Sequence, residues 1–188
     1  MALILNIDTA TAKASICLSR NTDIIAFTQN EEQNNHASFL QPAIQQLFID
    51  NDLKIDAVDA IAVTNGPGSY TGLRVSLASA KGLCFALNKP LIVLNTLKVI
   101  ANSIFESEDK LVLKNNSNYC ICPMIDARRM EVFTAIYNRN LSEIFPSQAM
   151  ILNEISFAEE IVNNEIVFCG NGFEKFRRLI QHRSEEHT

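Results

Sequence analysis

The stretch Asn65-Gly66-Pro67-Gly68-Ser69-Tyr70-Thr71-Gly72-Leu73-Arg74 constrains this chain more than any other. The residues before it, Ala60-Ile61-Ala62-Val63-Thr64, are apolar and partly β-branched, which predicts a short buried strand. Gly66, Pro67 and Gly68 end that strand, because glycine reaches backbone angles closed to other residues and proline fixes its own φ and removes a donor. A helix is predicted from Ser69 or Thr71 to Leu87. Two readings fit the turn. Free N–H groups at a helix start suit a phosphate or another anion, and a plain strand-to-helix turn has the same spacing. The run lacks the Gly-Lys-Ser/Thr ending of a P-loop.

The helix after the turn carries small residues in rows: Gly72, Ser76, Ala80 and Cys84, and beside them Val75, Ser79, Gly82 and Ala86. It has no charge after Lys81, so the sequence predicts burial on most sides. Small rows let another backbone come close, either within the fold or across an interface.

A length of 188 residues fits one domain or two small lobes, and 47% hydrophobic with 20% charged residues is the composition of a soluble globular chain. The net charge of -5 weighs against a large sequence-independent grip on nucleic acid and leaves room only for a local basic patch. The start, Met1-Ala2-Leu3-Ile4-Leu5-Asn6-Ile7-Asp8, has no basic region and meets an acid too early for a signal peptide. No apolar run reaches membrane-spanning length. Five cysteines, Cys17, Cys84, Cys120, Cys122 and Cys169, sit in apolar runs and suit a reducing, cytoplasmic compartment. Cys120 and Cys122 share one face of a strand, but no second pair completes a tetrahedral metal set, so no metal is expected.

Taken in order, Leu3 to Ile7, Ala14 to Ser19 and Asp23 to Thr28 predict an antiparallel meander. Asp8-Thr9-Ala10-Thr11 closes its first strand, where the carboxylate caps the turn or holds a hydrated metal. After the polar stretch 31–35, Phe39, Leu40, Ala43, Ile44, Leu47 and Phe48 mark a helix over 36–50. Its start is expected near Ser38, in capping-box form with Gln41, with Pro42 close behind. Leu91 to Leu94 reads as a strand, and Asn95 or Thr96 opens a helix through Phe105. The polar stretch 106–118 marks the boundary between two lobes, 1–105 and 106–188.

The second half repeats the first. A strand from Tyr119 to Ile125 ends at Asp126, a turn leads to a strand from Glu131 to Tyr137, and Ile166 to Cys169 runs through Gly170-Asn171-Gly172 into a helix. Strand-Asp-turn-strand followed by strand-GxG-helix thus occurs twice, which predicts an α/β protein of two related βββαβα lobes, the second smaller.

Ile7-Asp8-Thr9-Ala10, the Asn65 to Arg74 run, Ala80-Lys81-Gly82-Leu83, and Ile125-Asp126-Ala127-Arg128 with Glu131-Val132-Phe133 closely resemble the TsaB (YeaZ) family. The resemblance implies an actin/Hsp70-like (ASKHA, ribonuclease H-like) fold. It implies a role in making N6-threonylcarbamoyladenosine (t6A) on tRNAs that read codons beginning with A. The chain would act there as a non-catalytic partner that binds and supports TsaD, in an assembly with TsaE, or as a homodimer when alone, with tRNA reached through the complex. ATP or ADP and metal would belong to TsaD, TsaE or a shared interface. A TsaD-like metal pair is His-x-x-x-His, whereas here His36 is followed four residues on by Leu40.

The resemblance places the pairing surface on the helices near 36–50 and 71–87. The residues expected there are His36, Phe39, Leu40, Ala43, Ile44 and Leu47, with Gly72, Arg74, Val75, Ser76, Ser79, Gly82 and Leu83. It also makes Asp8, Thr9, Gly66, Gly68, Asp126, Gly170 and Gly172 vestigial phosphate-loop positions, though the glycines that flank such acids are missing. The family continues past the helix around Phe173 to Gln181, so the second lobe is expected to be truncated, or to end in a foreign tail over 183–188. The competing expectation is an independent actin-like ATPase or phosphotransferase, drawn from the duplicated Asp and glycine turns.

Overall fold

The computed structural model describes residues 1–30, 35–107 and 119–186, with side chains to residue 181. The polar stretch expected at 31–35, the boundary stretch 106–118 and the tail 183–188 therefore fall wholly or partly outside the described residues. The chain divides into two units, Met1–Thr96 and Leu97–Thr188.

In the first unit, β1 (Leu3–Asp8), β2 (Ala14–Arg20) and β3 (Asp23–Asn30) form the meander. Next come α1 (His36–Asp50), β4 (Ala60–Thr64), α2 (Tyr70–Leu87) and β5 (Leu91–Leu94), giving a sheet of order β3-β2-β1-β4-β5 with β1, β4 and β5 parallel. Alternation decides which face is buried. Leu3, Leu5 and Ile7 of β1 and Ile16 and Leu18 of β2 meet Leu40, Ile44, Leu47 and Phe48 of α1 and Ala80 of α2. Each such side chain contributes roughly 1.5–3 kcal/mol when fully buried. The capping box at Ser38 is not used. α1 starts at His36, with Asn35 as its N-cap and Pro42 inside the helix.

The second unit holds α3 (Thr96–Phe105), β6 (Tyr119–Asp126), β7 (Glu131–Tyr137), β8 (Glu143–Ile151), α4 (Ala158–Asn163), β9 (Glu165–Cys169) and α5 (Phe173–Glu186). Its sheet, β8-β7-β6-β9, repeats the order β3-β2-β1-β4 of the first. One face carries α3, whose Leu97, Ala101 and Phe105 pack with Tyr119, Ile121 and Tyr137. The other carries Phe157 and Phe176 over Cys122, Met124 and Ile136.

The expected division of the chain changes. α3 packs on the second sheet, so the division falls after Thr96 and not after Phe105. The helix's apolar stripe was legible, but a stripe does not say which sheet it covers. β8 and α4 had no clear sequence signal, since β8 is an edge strand that tolerates Pro146 and α4 has six residues.

Candidate partner-binding face and the two aspartate turns

α2 begins where the sequence placed it because Ser69 caps it, its hydroxyl accepting from the Gly72 N–H at 3.3 Å. The glycines before and within its first turn serve close packing. Gly68 has φ +156 and lies against the Ala10 carbonyl, and Gly72 lies against the Thr9 carbonyl and His36; a Cβ at either would overlap that backbone. Ser69 N–H donates to the Ala10 carbonyl at 2.7 Å, and Thr9 Oγ1 donates to the Gly72 carbonyl at 2.6 Å. The N–H groups of Ser69 and Gly72 at the helix start therefore have partners inside the chain.

Asp8 ends β1 as a turn cap. Its Oδ1 accepts from the Ala10 N–H at 2.9 Å and from Thr64 Oγ1 at 2.8 Å. His36, buried beside this turn, holds it from α1, with Nε2 donating to the Thr11 carbonyl at 3.1 Å. Its Nδ1 is buried without a partner.

The second unit repeats the arrangement at Asp126, whose Oδ1 accepts from the Arg128 N–H at 2.6 Å and from Lys175 Nζ at 2.7 Å. Burial alone pushes this carboxyl upward, but the Lys175 ammonium and the Arg128 N–H together hold it below its ordinary range. Gly170, with φ +90, lies against the Met124 carbonyl, and Gly172 against Val132 and the backbone after Met124. Between Asp126 and Glu131 the chain turns through Arg128 at φ 71 and Arg129 at φ 46. Two adjacent left-handed non-glycine residues cost about 1 kcal/mol each or more. Among the described residues no group of three or more His, Cys, Asp or Glu could hold a metal ion.

The residues expected on the pairing surface separate into two sets. His36, Leu40, Ile44, Leu47, Gly72 and Ser76 are buried inside the unit. Half-buried or exposed are Phe39, Ala43, Arg74, Val75, Ser79, Gly82 and Leu83. The first small row of α2 therefore packs on the chain's own sheet and neighbours. The second row stays accessible, and α2 is not buried on most sides: Phe85 is 90% exposed and nothing lies within 4 Å of a Cβ placed on Gly82.

Several residues join this face that the sequence did not single out. Gln41 of α1 donates to Ser79 Oγ at 2.9 Å, tying the two helices together at the surface. Ile49 and Tyr70 are exposed, with the Arg74 guanidinium 4.0 Å above the Tyr70 ring. Phe39 and Ala43 face the other way, lining a groove of about 510 Å³ with Phe27 of β3. Their helical spacing was legible, but the side of α1 each takes depends on where β3 lies. The two helices carry three formal charges between them, Asp50, Arg74 and Lys81.

One sheet order used twice, each copy closing its first strand on an aspartate turn, defines an ASKHA-type protein. Residues 24–187 match the family described as TsaD: tRNA N6-adenosine threonylcarbamoyltransferase. The tRNA threonylcarbamoyladenosine biosynthesis protein TsaB of Buchnera aphidicola subsp. Baizongia pistaciae is 30% identical over 185 residues, covering 94% of this chain and 78% of that protein. TsaB of Bacillus subtilis is 28% identical over 181 residues, 95% and 75% respectively. A Pseudomonas aeruginosa crystal structure, described as an uncharacterized protein with similarity to peptidase YEAZ, superposes with a TM-score of 0.77. It is 24% identical and covers 96% of this chain and 81% of that one. The chain belongs to the TsaD family, and within it to the TsaB (YeaZ) branch.

Proposed function

We propose that this chain is a non-catalytic partner subunit in the formation of t6A on tRNA, acting by binding and supporting TsaD. Membership of the TsaB branch supports the pathway. The observation that carries the partner role is the outer face of α2, where Ala78, Gly82, Phe85 and Ala86 are exposed and few charges keep the surface wet. Charge-poor, aromatic-bearing helical faces with room for a close backbone are what protein interfaces select. The same face would serve a homodimer when TsaD is absent. In this reading TsaE joins the assembly, ATP or ADP and metal act in TsaD, TsaE or at their interface, and the chain works in the cytoplasm. No helix among the described residues is long and apolar enough to cross a membrane.

The test is reconstitution of tRNA threonylcarbamoylation from the other components with and without this chain. Product should depend on its addition. Equal product in its absence would remove the role.

A further inference from the structure

The β6–β7 turn holds the feature that this function does not use. Arg128 and Arg129 are consecutive, exposed, and both in the left-handed region where asparagine and glycine are at ease. Neither guanidinium has a hydrogen bond or ion pair among the described residues. Asp126, at the start of the turn, is already occupied by Lys175 and by the Arg128 N–H. Lys175 also donates to the Glu131 carbonyl at 3.1 Å, which keeps a third cation at the base of the turn. The fold itself therefore recovers nothing for placing arginine twice where a smaller residue would turn the chain more easily. The return has to come from outside, and an arginine fork is the side chain best matched to phosphate oxygens.

We propose that Arg128 and Arg129 contact the phosphate backbone of the tRNA directly. The inference rests on the t6A reading for its choice of anion, since an acidic protein surface offers similar chemistry. It also fits the charge of the whole chain. A net charge of -5 cannot supply a broad electrostatic grip, but two free guanidiniums at one turn can add a local contact to a grip supplied mainly by other subunits.

The variant Arg128→Asn with Arg129→Gly removes both charges and gives the turn the residues its backbone prefers, so it should fold at least as well as the parent. Labelled tRNA is titrated, with anisotropy as the readout, from 50 to 200 mM salt, against the chain alone and against the chain with TsaD. The variant should bind about tenfold more weakly and flatten the plot of log affinity against log salt by about 1.5, the loss of two phosphate contacts. Its retention of TsaD should be unchanged. The double lysine variant, which keeps both charges, should retain most of the affinity. Unchanged affinity and slope in both titrations, or no tRNA binding by the parent in either, overturns the proposal and leaves the partner role standing. Loss of TsaD retention by the variant also overturns it, by making the turn a protein contact. A parent chain that fails to retain TsaD counts against the partner role alone, and the titration of the free chain still decides the RNA contact.

Discussion

The Thr9 hydroxyl donates to the Gly72 carbonyl across 2.6 Å, joining the end of the first strand's turn to the first turn of α2. Sixty-three residues separate them in sequence, yet Thr9's own carbonyl leaves no room for a Cβ on Gly72. This contact sets where α2 starts and which of its rows faces inward.

Substitution here should be costly without touching any partner. Thr9→Val loses a buried hydrogen bond and should destabilise the chain by about 1–2 kcal/mol. Gly72→Ala forces the two backbones apart and should cost about 3 kcal/mol. Urea denaturation measures both, and a Gly72→Ala loss below that of Thr9→Val would contradict this packing.

The two small-residue rows of α2 should respond in opposite ways to charge. Ser76→Glu buries an unpaired carboxylate and should leave little folded protein. Ser79→Glu, at a half-buried surface position, should keep the thermal midpoint within a few degrees, a change of roughly 0.5 kcal/mol. Circular dichroism melts compare the two. Similar melting by both variants would mean that the rows are not inside and outside as described.

The four-residue spacing of Gly72, Ser76 and Ala80 was visible in the sequence and so was its meaning as close approach. Which backbone approaches was not, because the Thr9 carbonyl arrives from a distant strand. The strand-Asp-turn repeat was also legible, since Asp8 and Asp126 each end an apolar run. The partner of Asp126 was not, because Lys175 lies 49 residues on and helical pattern alone does not aim its ammonium at the turn. For the same reason the apolar stripe of α3 could be read while its sheet could not.

Acid should expose the Asp126–Lys175 pair. A carboxyl held below its ordinary value in the fold adds stability that is present above the unfolded carboxylate value of about 3.9 and fades as the pH falls through the lower folded value. Asp126 is partly exposed, so screening limits this to about 1 kcal/mol at most. Lys175→Met should therefore lower the melting temperature at pH 7 more than at pH 3. An equal deficit at both would show that the pair adds no pH-dependent stability.

The thiols should differ in reactivity. Burial pushes Cys122 and Cys169 up to about 12, leaving almost no thiolate at pH 8. Alkylation of the native protein at pH 8 should spare Cys122 and Cys169 for hours, and denaturation should open all five cysteines. Mass spectrometry of the labelled peptides reads the outcome. Rapid native labelling of Cys122 would place β6 outside the core.

The most direct test is association with TsaD. Gly82 faces open space, so Gly82→Arg should fold as well as the parent, and better by about 0.5–1 kcal/mol through helix propensity. On mixing and size-exclusion chromatography, the parent chain should elute with TsaD, whereas Gly82→Arg and Phe85→Asp should elute apart from it. Co-elution of both folded variants with TsaD at parental affinity would contradict the assignment of this face.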